Sequence, residues 1–548
     1  MNQIRVSLSK TSYTGTTYAA VAVDIAPLPD NNIRVNFNPT LYLNFERGQR
    51  VHLTKPGNSD WDGEYYIEKV VNTTFTVLHL RWRAGDIVQS LAAGPGTGTI
   101  TESTDDWTVY DSVIFDGEFT EEQEENYIFY RKKLVNSLKI IKDAYRFIDT
   151  LRDECFPYLI YAKIEKLCDG EWEEQYIGAF TINDIKWNLT RCTAEISPYT
   201  FDQYFSYFKL FRETNNIMEI TTRYQAEFGG ALQFGDRWIK LADLLDYFVG
   251  KNMYNVKSIQ SDFFSINPVG YVYPVVIDTS EITNIMVSAM PDVNRFGTVT
   301  PTEVFNMSFF DFLENLRVVF GVYWNVVNGV FILENEYYFT SVPGLDITSL
   351  IINRKNEYTL DLDKVPRQEV FRFSQGSVPD FYESAIVYND EMLSNQKDGG
   401  QKNSYVAALI TTDLGWIRNV SLGSPDAQVP SDNGLALGAW DPVVNGGTGS
   451  YPLLANLTWH YLISRFHQYN RARITGYYFQ TTVGRVVNTF LSQKKALLRK
   501  EITIKLCCED FDPANTLTTE WGDAEIKSLK RNIYRGTMTL ELLFELPC

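Results

Sequence analysis

Residues 308–334, SFFDFLENLRVVFGVYWNVVNGVFILE, restrict the possible folds more than any other stretch of the chain. Ser308 can cap a helix, and Asp311 follows three residues later, the spacing of a capping box. Phe309, Phe312, Leu313, Leu316 and Phe320 then recur at helical intervals, so one face of the predicted helix is apolar. Gly321 stands where helices tend to stop. Residues 322–327 and 330–334 are predicted strands, joined by Asn328-Gly329, a dipeptide that tolerates the two positive φ angles of a tight hairpin. The stretch carries no catalytic group. It is a packing module, a buried helix leading into a buried hairpin.

A chain of 548 residues is long enough for three or four domains. It holds 33 Tyr and 34 Phe, an aromatic load that favours strands and broad contact surfaces. Acidic residues outnumber basic ones by 68 to 50, for a net charge of −18. That balance argues against wrapping nucleic acid, which needs a basic footprint. It is compatible with a channel wall that DNA slides past without sticking, because like charges repel. Met1-Asn2-Gln3-Ile4-Arg5 has no long apolar segment behind it, so no secretory signal is expected. No run approaches about 18 apolar residues, so no transmembrane helix is expected. The six cysteines, Cys155, Cys168, Cys192, Cys507, Cys508 and Cys548, show no staple spacing and read as reduced thiols.

Taken in order, the chain is mainly β with α+β units. Residues 1–100 alternate apolar and polar positions (Leu41, Leu43, Phe45; Val51, Leu53) and predict a small β-barrel or sandwich domain. The run 92–106, AAGPGTGTITESTDD, reads as a linker. Residues 107–212 form a second unit, with a helix over 138–151 and strands over 158–164, 176–180 and 192–196. In it Glu121, Glu122, Glu124 and Glu125 face Arg131, Lys132 and Lys133, a pattern that predicts a solvated, charge-balanced surface. Residues 213–390 form a central α+β domain. Leu241, Leu244, Leu245 and Phe248 mark one helix that Gly250 ends, and strands are predicted over 271–277, 370–373 and 382–388. Residues 391–450 are a polar, turn-rich insertion punctuated by Trp416 and Trp440, with Tyr451 just beyond it. Residues 451–548 close the chain with a helix set by Trp459, Leu462, Ile463 and Phe466. Alternating strands follow over 501–506 and 537–544.

Motifs with chemistry are sparse. His460 and His467 sit seven residues apart on one predicted helix, about 10.5 Å along its axis, too far to share a metal. These two, with His52 and His79, read as surface or interface histidines. Glu171, Glu173 and Glu174 flank Trp172 and invite comparison with a sugar-cleaving carboxylate pair. The turn signal Asp169-Gly170 beside them predicts a polar hairpin tip instead. Gly94-Pro95-Gly96-Thr97-Gly98 lacks the strand–loop–helix frame of a phosphate cradle. Cys507 and Cys508, adjacent on a strand, point to opposite faces. No phosphate loop, nucleophile elbow or zinc-protease motif occurs, and neither catalytic residues nor cofactor or metal ligands are assigned.

Three stretches resemble the baseplate hub class of bacteriophage tail-tip proteins. The first runs from Asp311-Phe312-Leu313-Glu314-Asn315-Leu316 through Phe320-Gly321-Val322-Tyr323-Trp324 to Asn328-Gly329-Val330-Phe331-Ile332. The second is residues 120–210, similar to the strand–helix–strand tube domain of hub and distal tail proteins. The third runs from Thr519-Glu520-Trp521-Gly522-Asp523-Ala524-Glu525-Ile526 to the strand ending at Phe544, similar to a second tube domain. Together they cover about two thirds of the chain. The first hundred residues depart from a minimal hub.

The resemblance implies two tail-tube-like β domains per chain, three chains in a ring of sixfold appearance, and no enzymatic turnover or cofactor. It implies a virion tail protein made in the host cytoplasm. Its expected partners are further copies of itself, distal tail or tail tube proteins, the tape-measure protein and tail fibres. Such a ring closes the tube and opens for DNA passage. Two alternatives stand beside it: a hexameric distal tail adaptor, and a carbohydrate-binding or carbohydrate-cleaving tail protein using the Glu171–Glu174 cluster.

Overall fold

The structure is a computed structural model. It describes most of residues 4–210, 239–271, 306–361 and 497–545, together with short strands at 214–216, 285–289, 368–373, 386–389, 402–407, 409–411 and 435–439. The fold is mainly β, built from several largely antiparallel sheets.

Strand β1 (Ile4–Ser12) lies inside a five-stranded sheet. It pairs with β8 (Thr104–Val109) on one side and β13 (Ile160–Cys168) on the other. The strand β14 (Glu171–Phe180) pairs with β13 and with the short β17 (Tyr199–Thr200), which completes the sheet. The alternation of β1 explains its place, because Val6 and Leu8 face the core of this unit.

Between β1 and β8 the chain makes a closed six-stranded barrel. Its strands are β2 (Thr17–Ile25), β3 (Ile33–Phe37), β4 (Arg50–Thr54), β5 (Gly63–Asn72), β6 (Thr76–Trp82) and β7 (Gly96–Glu102). Its core is its own, with Val23, Val35, Phe37, Val51, Leu53, Leu78 and Ile100 all inaccessible to solvent. The barrel expected from the sequence is therefore present, but it is an insertion in a hairpin, and the first strand of the chain belongs elsewhere. The expected linker at 92–106 is corrected likewise, since it contains β7 and the start of β8. Glycine in β7 reflects crowding and not looseness. A Cβ on Gly98 would stand 2.8 Å from Cγ2 of Val23 on the neighbouring strand β2.

A second correction concerns residues 138–151. They are not one helix. Leu138–Ile141 is a strand, β12, paired with β16 (Thr193–Ile196) and with β9 (Val113–Ile114). The helix α1 covers Lys142–Asp153 and buries Ala144, Tyr145, Ile148 and Leu151. Leu138, Ile140 and Ile141 satisfy either period, and the backbone settles it at Lys142, where φ is 50°.

The hairpin β10 (Glu118–Gln123) and β11 (Tyr130–Leu134) leaves this unit and joins the C-terminal strands. Those are β22 (Ile351–Asp361), β23 (Leu497–Lys505), β24 (Leu517–Thr519), β25 (Gly522–Asn532) and β26 (Thr537–Glu545), with β21 (Leu345–Asp346) beside β24. The result is an eight-stranded sheet with the path β11-β10-β25-β26-β23-β22. The alternation expected at 501–506 and 537–544 is present in β23 and β26, where Ile502, Ile504, Met538, Leu540 and Leu542 are buried together.

The helix–hairpin module forms as its sequence dictates. Helix α4 covers Phe309–Phe320, after α2 (Phe205–Leu210) and α3 (Leu241–Asn252). Ser308 Oγ accepts from the Asp311 amide at 3.0 Å and donates to Asp311 Oδ2 at 2.6 Å, so the cap is real. Strands β19 (Val322–Val327) and β20 (Val330–Asn335) pair in register across Asn328 and Gly329, whose φ values are 52° and 77°. A short strand, β18 (Ser258–Gln260), adds to β20 in parallel. Replacing Ser308 by alanine is expected to lower stability by about 1 kcal/mol, read as a shift of the urea midpoint at constant slope.

Other expectations divide. Helix α3 does not stop at Gly250 but runs to Asn252, whose side-chain Nδ2 donates to the Phe248 carbonyl at 2.8 Å. The turn-rich stretch 391–450 contains strands at Lys402–Ala407, Leu409–Thr411 and Leu435–Ala439. Short apolar runs such as Tyr405-Val406-Ala407 supply them within polar surroundings. Strands are present at Gln368–Phe373 and Ile386–Asn389. The helix expected around Trp459, the strand at 271–277 beyond Tyr271, the pair Cys507-Cys508, and Trp416, Trp440 and Tyr451 lie outside the described residues.

Candidate functional site

Two joints tie the units together, and they concentrate the unusual side chains of the molecule. The first is aromatic. Strand β19 presents Trp324 to a group of rings from the second unit. Centroid distances are 5.6 Å to Tyr127, 4.9 Å to Phe129, 6.0 Å to Tyr204 and 4.6 Å to Tyr207. Phe129 and Tyr204 stack at 3.8 Å. Phe331, Phe309, Phe248 and Phe312 continue the group into the central unit. The α2 region places Tyr204, Tyr207 and Phe208 here, the β10–β11 loop Tyr127 and Phe129, helix α3 Phe248, and the helix–hairpin module Phe309, Phe312, Trp324 and Phe331.

The polar atoms of this joint are matched in place. The Tyr127 and Tyr207 hydroxyls share a hydrogen bond of 3.1 Å. The Tyr204 hydroxyl donates to Asn325 Oδ1. Burial pushes the Tyr127 phenol up to about 12, and burial together with Tyr127 drives Tyr207 higher still. Both therefore keep their protons at neutral pH. Beside it Arg131 forks onto Asp202, with Nε–Oδ2 at 2.7 Å and Nη2–Oδ1 at 3.1 Å, and lies over the Phe208 ring at 4.3 Å.

The second joint is the seam between β10 and β25. Phe119 is fully buried there between two cations, with Lys132 Nζ 5.4 Å and the Arg531 guanidinium 5.6 Å from its ring. Glu121 stands 3.8 Å from Lys132 and 3.7 Å from Arg531. It is buried, which corrects the expectation of a solvated charged face at this one position, whereas Glu122 and Lys133 are exposed as expected. The strand β25, which sequence alone does not place opposite β10, covers it. At the outer end Glu118 accepts from Lys530 at 2.7 Å and from Asn532 at 3.1 Å, and Lys530 holds its carboxyl below the ordinary range.

The sequence-selected groups fall elsewhere. Asp169 and Gly170, with φ of 48° and 94°, make the turn of the β13–β14 hairpin. Glu171, Glu173 and Glu174 are exposed on its tip, and Glu171 and Glu173 share one face while Glu174 lies on the other side of the strand. Trp172 lies under the Arg5 guanidinium at 4.3 Å and presents no open stacking face on that side. Arg5 in turn donates to Glu165 at 2.7 Å and 3.0 Å, and Lys163 reaches the same carboxylate at 3.2 Å. The Arg5 hydrogen bond holds Glu165 below the ordinary carboxylate range. Its stabilisation is thus complete at neutral pH and is lost as pH falls through that depressed value. The melting-temperature gap between wild type and Glu165→Gln should be widest near neutrality and close under acid, as thermal melts across pH would show.

His52 and His79 lie on β4 and β6, whereas His460 and His467 lie outside the described residues. Among the described residues no group of three His, Cys, Asp or Glu side chains is arranged to hold a metal. Cys155 and Cys192 are free and exposed, but Cys168 is disulfide-bonded, against the expectation of reduced thiols. Cysteine spacing does not reveal pairing between residues distant in sequence. Among the described residues no helix is long and apolar enough to cross a membrane.

No known protein family matches the chain. No curated protein matches it either. Among solved structures it is similar to prophage tail protein gp18 from Listeria monocytogenes at 12% identity, with a TM-score of 0.30 over 80% of this chain and 91% of that one. Another likeness is to a 43 kDa tail protein of prophage MuSo2 from Shewanella oneidensis, at 7% identity and a TM-score of 0.33 over 91% and 98% of the two chains. These are tail proteins. A Francisella PdpA–VgrG complex follows at 8% identity and a TM-score of 0.29, over 93% of this chain and 61% of that one. At such scores the likenesses carry no assignment of fold or role.

Proposed function

We propose that this chain is a structural component of a bacteriophage-type tail. In this reading it is a hub at the tail tip that closes the tube, organises the distal tail and opens for DNA passage. It works without catalytic turnover. The observation that carries the reading is the β10–β25 ladder. The hub resemblance implies two tube-like units per chain acting side by side, and this ladder runs strands of the second and last units into one sheet. A continuous sheet is the form a wall segment takes when several copies surround a lumen. The net charge of −18 supports a lumen that repels DNA and does not bind it. Its partners in this reading are further copies of the chain, the distal tail or tube proteins, the tape-measure protein and tail fibres.

Light scattering behind a sizing column tests it. Three times the 63.0 kDa chain mass is the expected result. Six copies would replace the hub with a distal ring adaptor. A monomer that binds or cleaves glycans, and loses this on removal of Glu171, Glu173 and Glu174 together, would overturn the structural reading.

A further inference from the structure

We propose that the seam between β10 and β25 is a parting line built into the fold, along which the last unit comes away from the second while both cores stay closed. The inference concerns the chain's own mechanics and is independent of the tail reading.

The two units keep separate cores. The buried cluster of the second unit is drawn from residues 6–196, with Ile533 as the one later member among the described residues. The cluster of the last unit is drawn from residues 347–544, and Tyr130 is the one earlier side chain packed on it among the described residues. Each core therefore receives a single side chain from the other. Ile533 is carried on the turn between β25 and β26. Its amide donates to the Gly117 carbonyl at 2.9 Å, and the Tyr534 hydroxyl donates to the Phe115 carbonyl at 3.3 Å. Gly117, at φ 88°, leaves room for this turn, because a Cβ there would collide with the Tyr534 ring. From the other side the Tyr130 hydroxyl donates to the Ile526 carbonyl.

The strands that flank the seam are tied to their own units. Phe119 of β10 belongs to the second core. Beside it β11 is held by the fork of Arg131 onto Asp202, and Lys132 Nζ donates to the Gln175 carbonyl at 3.1 Å. Strand β25 pairs with β26 over Ala524–Asn532, and its Ala524, Ile526 and Leu529 lie in the last core. Across the seam the ladder is short, Glu118–Glu122 against Ser528–Asn532.

That ladder also encloses charge whose hydrogen bonding is incomplete. Glu121 is 4% exposed, and its Oε1 lies 3.8 Å from Lys132 and 3.7 Å from Arg531, beyond hydrogen-bond reach. Neither this oxygen nor Nε of Arg531 has a hydrogen-bond partner among the described residues. Burying charge in this state opposes closure, and water entering an opened seam supplies the missing bonds. Opening between β10 and β25 thus uncovers two exchanged side chains and rehydrates two under-bonded charges. Opening on either side of that line cuts into a core, so the seam is the step of lowest free energy.

Native-state hydrogen exchange on the full chain, resolved by residue, tests this. The amides of 118–122 and 528–532 that point across the seam should exchange together, about 100-fold or more faster than those of β13–β14 and β23–β26. The amides joining β10 to β11 should stay better protected than the seam. Glu121→Leu combined with Arg531→Met replaces the under-bonded charges by apolar side chains, and should slow seam exchange about tenfold or more while the two cores keep their rates. Ile533→Ala, which removes the side chain given to the second core, should speed it. Seam amides as well protected as the cores, β10–β11 protection lost together with the seam, a double variant whose seam exchanges faster than the parent's, or an Ile533→Ala seam no faster than the parent's would each overturn the proposal.

Discussion

Replacing Trp324 by alanine is expected to destabilise the protein by about 3–5 kcal/mol, the largest effect of any single aromatic truncation at the inter-unit joint. The side chain is 5% exposed and meets rings from the second unit on one side and Phe331 on the other, at 5.4 Å. Its loss leaves a cavity that the neighbours cannot close, because they are anchored from separate elements: Tyr127 and Phe129 from the β10–β11 loop, Tyr204 and Tyr207 from the α2 region. The effect should therefore be cooperative between units. Urea denaturation followed by tyrosine fluorescence should show both units unfolding at a lower midpoint. Phenylalanine at 324 should recover most of the loss. A change confined to the β19–β20 hairpin would show that the joint does not couple the two units.

The second large effect is at Glu334, whose side chain is wholly inaccessible to solvent. Its carboxylate accepts from the backbone amides of Asp262 and Phe263, the latter at 3.0 Å. Asp262 in turn holds the next turn, accepting from Val269, Gly270 and Tyr271 at 3.3, 2.8 and 3.2 Å. Glu334→Ala orphans two buried donors as well as leaving a void. A loss of about 2–6 kcal/mol is expected, at 1–3 kcal/mol for each unsatisfied donor. Hydrogen exchange should report it first at 261–271. Glu334→Gln, which keeps one acceptor and brings a donor that must find a partner, should retain only part of the stability.

The difference between these two sites shows what the sequence makes legible. Trp324 sits in the helix–hairpin module, where local rules agree: a capped helix, an apolar period and Asn328-Gly329 at positive φ. The module follows from its own residues. Glu334 lies in the same module, yet its role depends on two amides 71 and 72 residues away. No spacing signals that. The same limit explains the other corrections. Glu121 carries the pattern of a surface charge, and only the arrival of β25 buries it. The stretch 92–106 has the composition of a linker, yet its residues 96–102 form a barrel strand in which Gly98 lets Val23 approach. Leu138–Ile141 satisfies a helix and a strand alike until β9 and β16 pair with it. The polar tip at Glu171–Glu174 was legible because Asp169-Gly170 decides its shape locally. Arg131–Asp202 was not, since an isolated arginine carries no sign of the group it will meet.

Because the barrel is inserted in a hairpin, the order of synthesis and the order of pairing are at odds. Arg5 waits for Glu165, 160 residues later, before β1 has both of its neighbours. At ribosomal rates of about 5–20 residues per second that is roughly 8–32 seconds. The barrel can close during this interval and bring Ser12 and Thr104 together, which shortens the effective loop that β1 must search. The β10 strand waits longer, since Asn532 reaches Glu118 only across 414 residues. For about 20–80 seconds at the same rates, the β10 edge that later meets β25 faces solvent as an open pairing template. Its alternation of Phe119 with Glu118, Thr120 and Glu122 supplies charge along that edge. The acidic residues that later stitch the seam thus also keep the unfinished chain from pairing with its neighbours on the polysome.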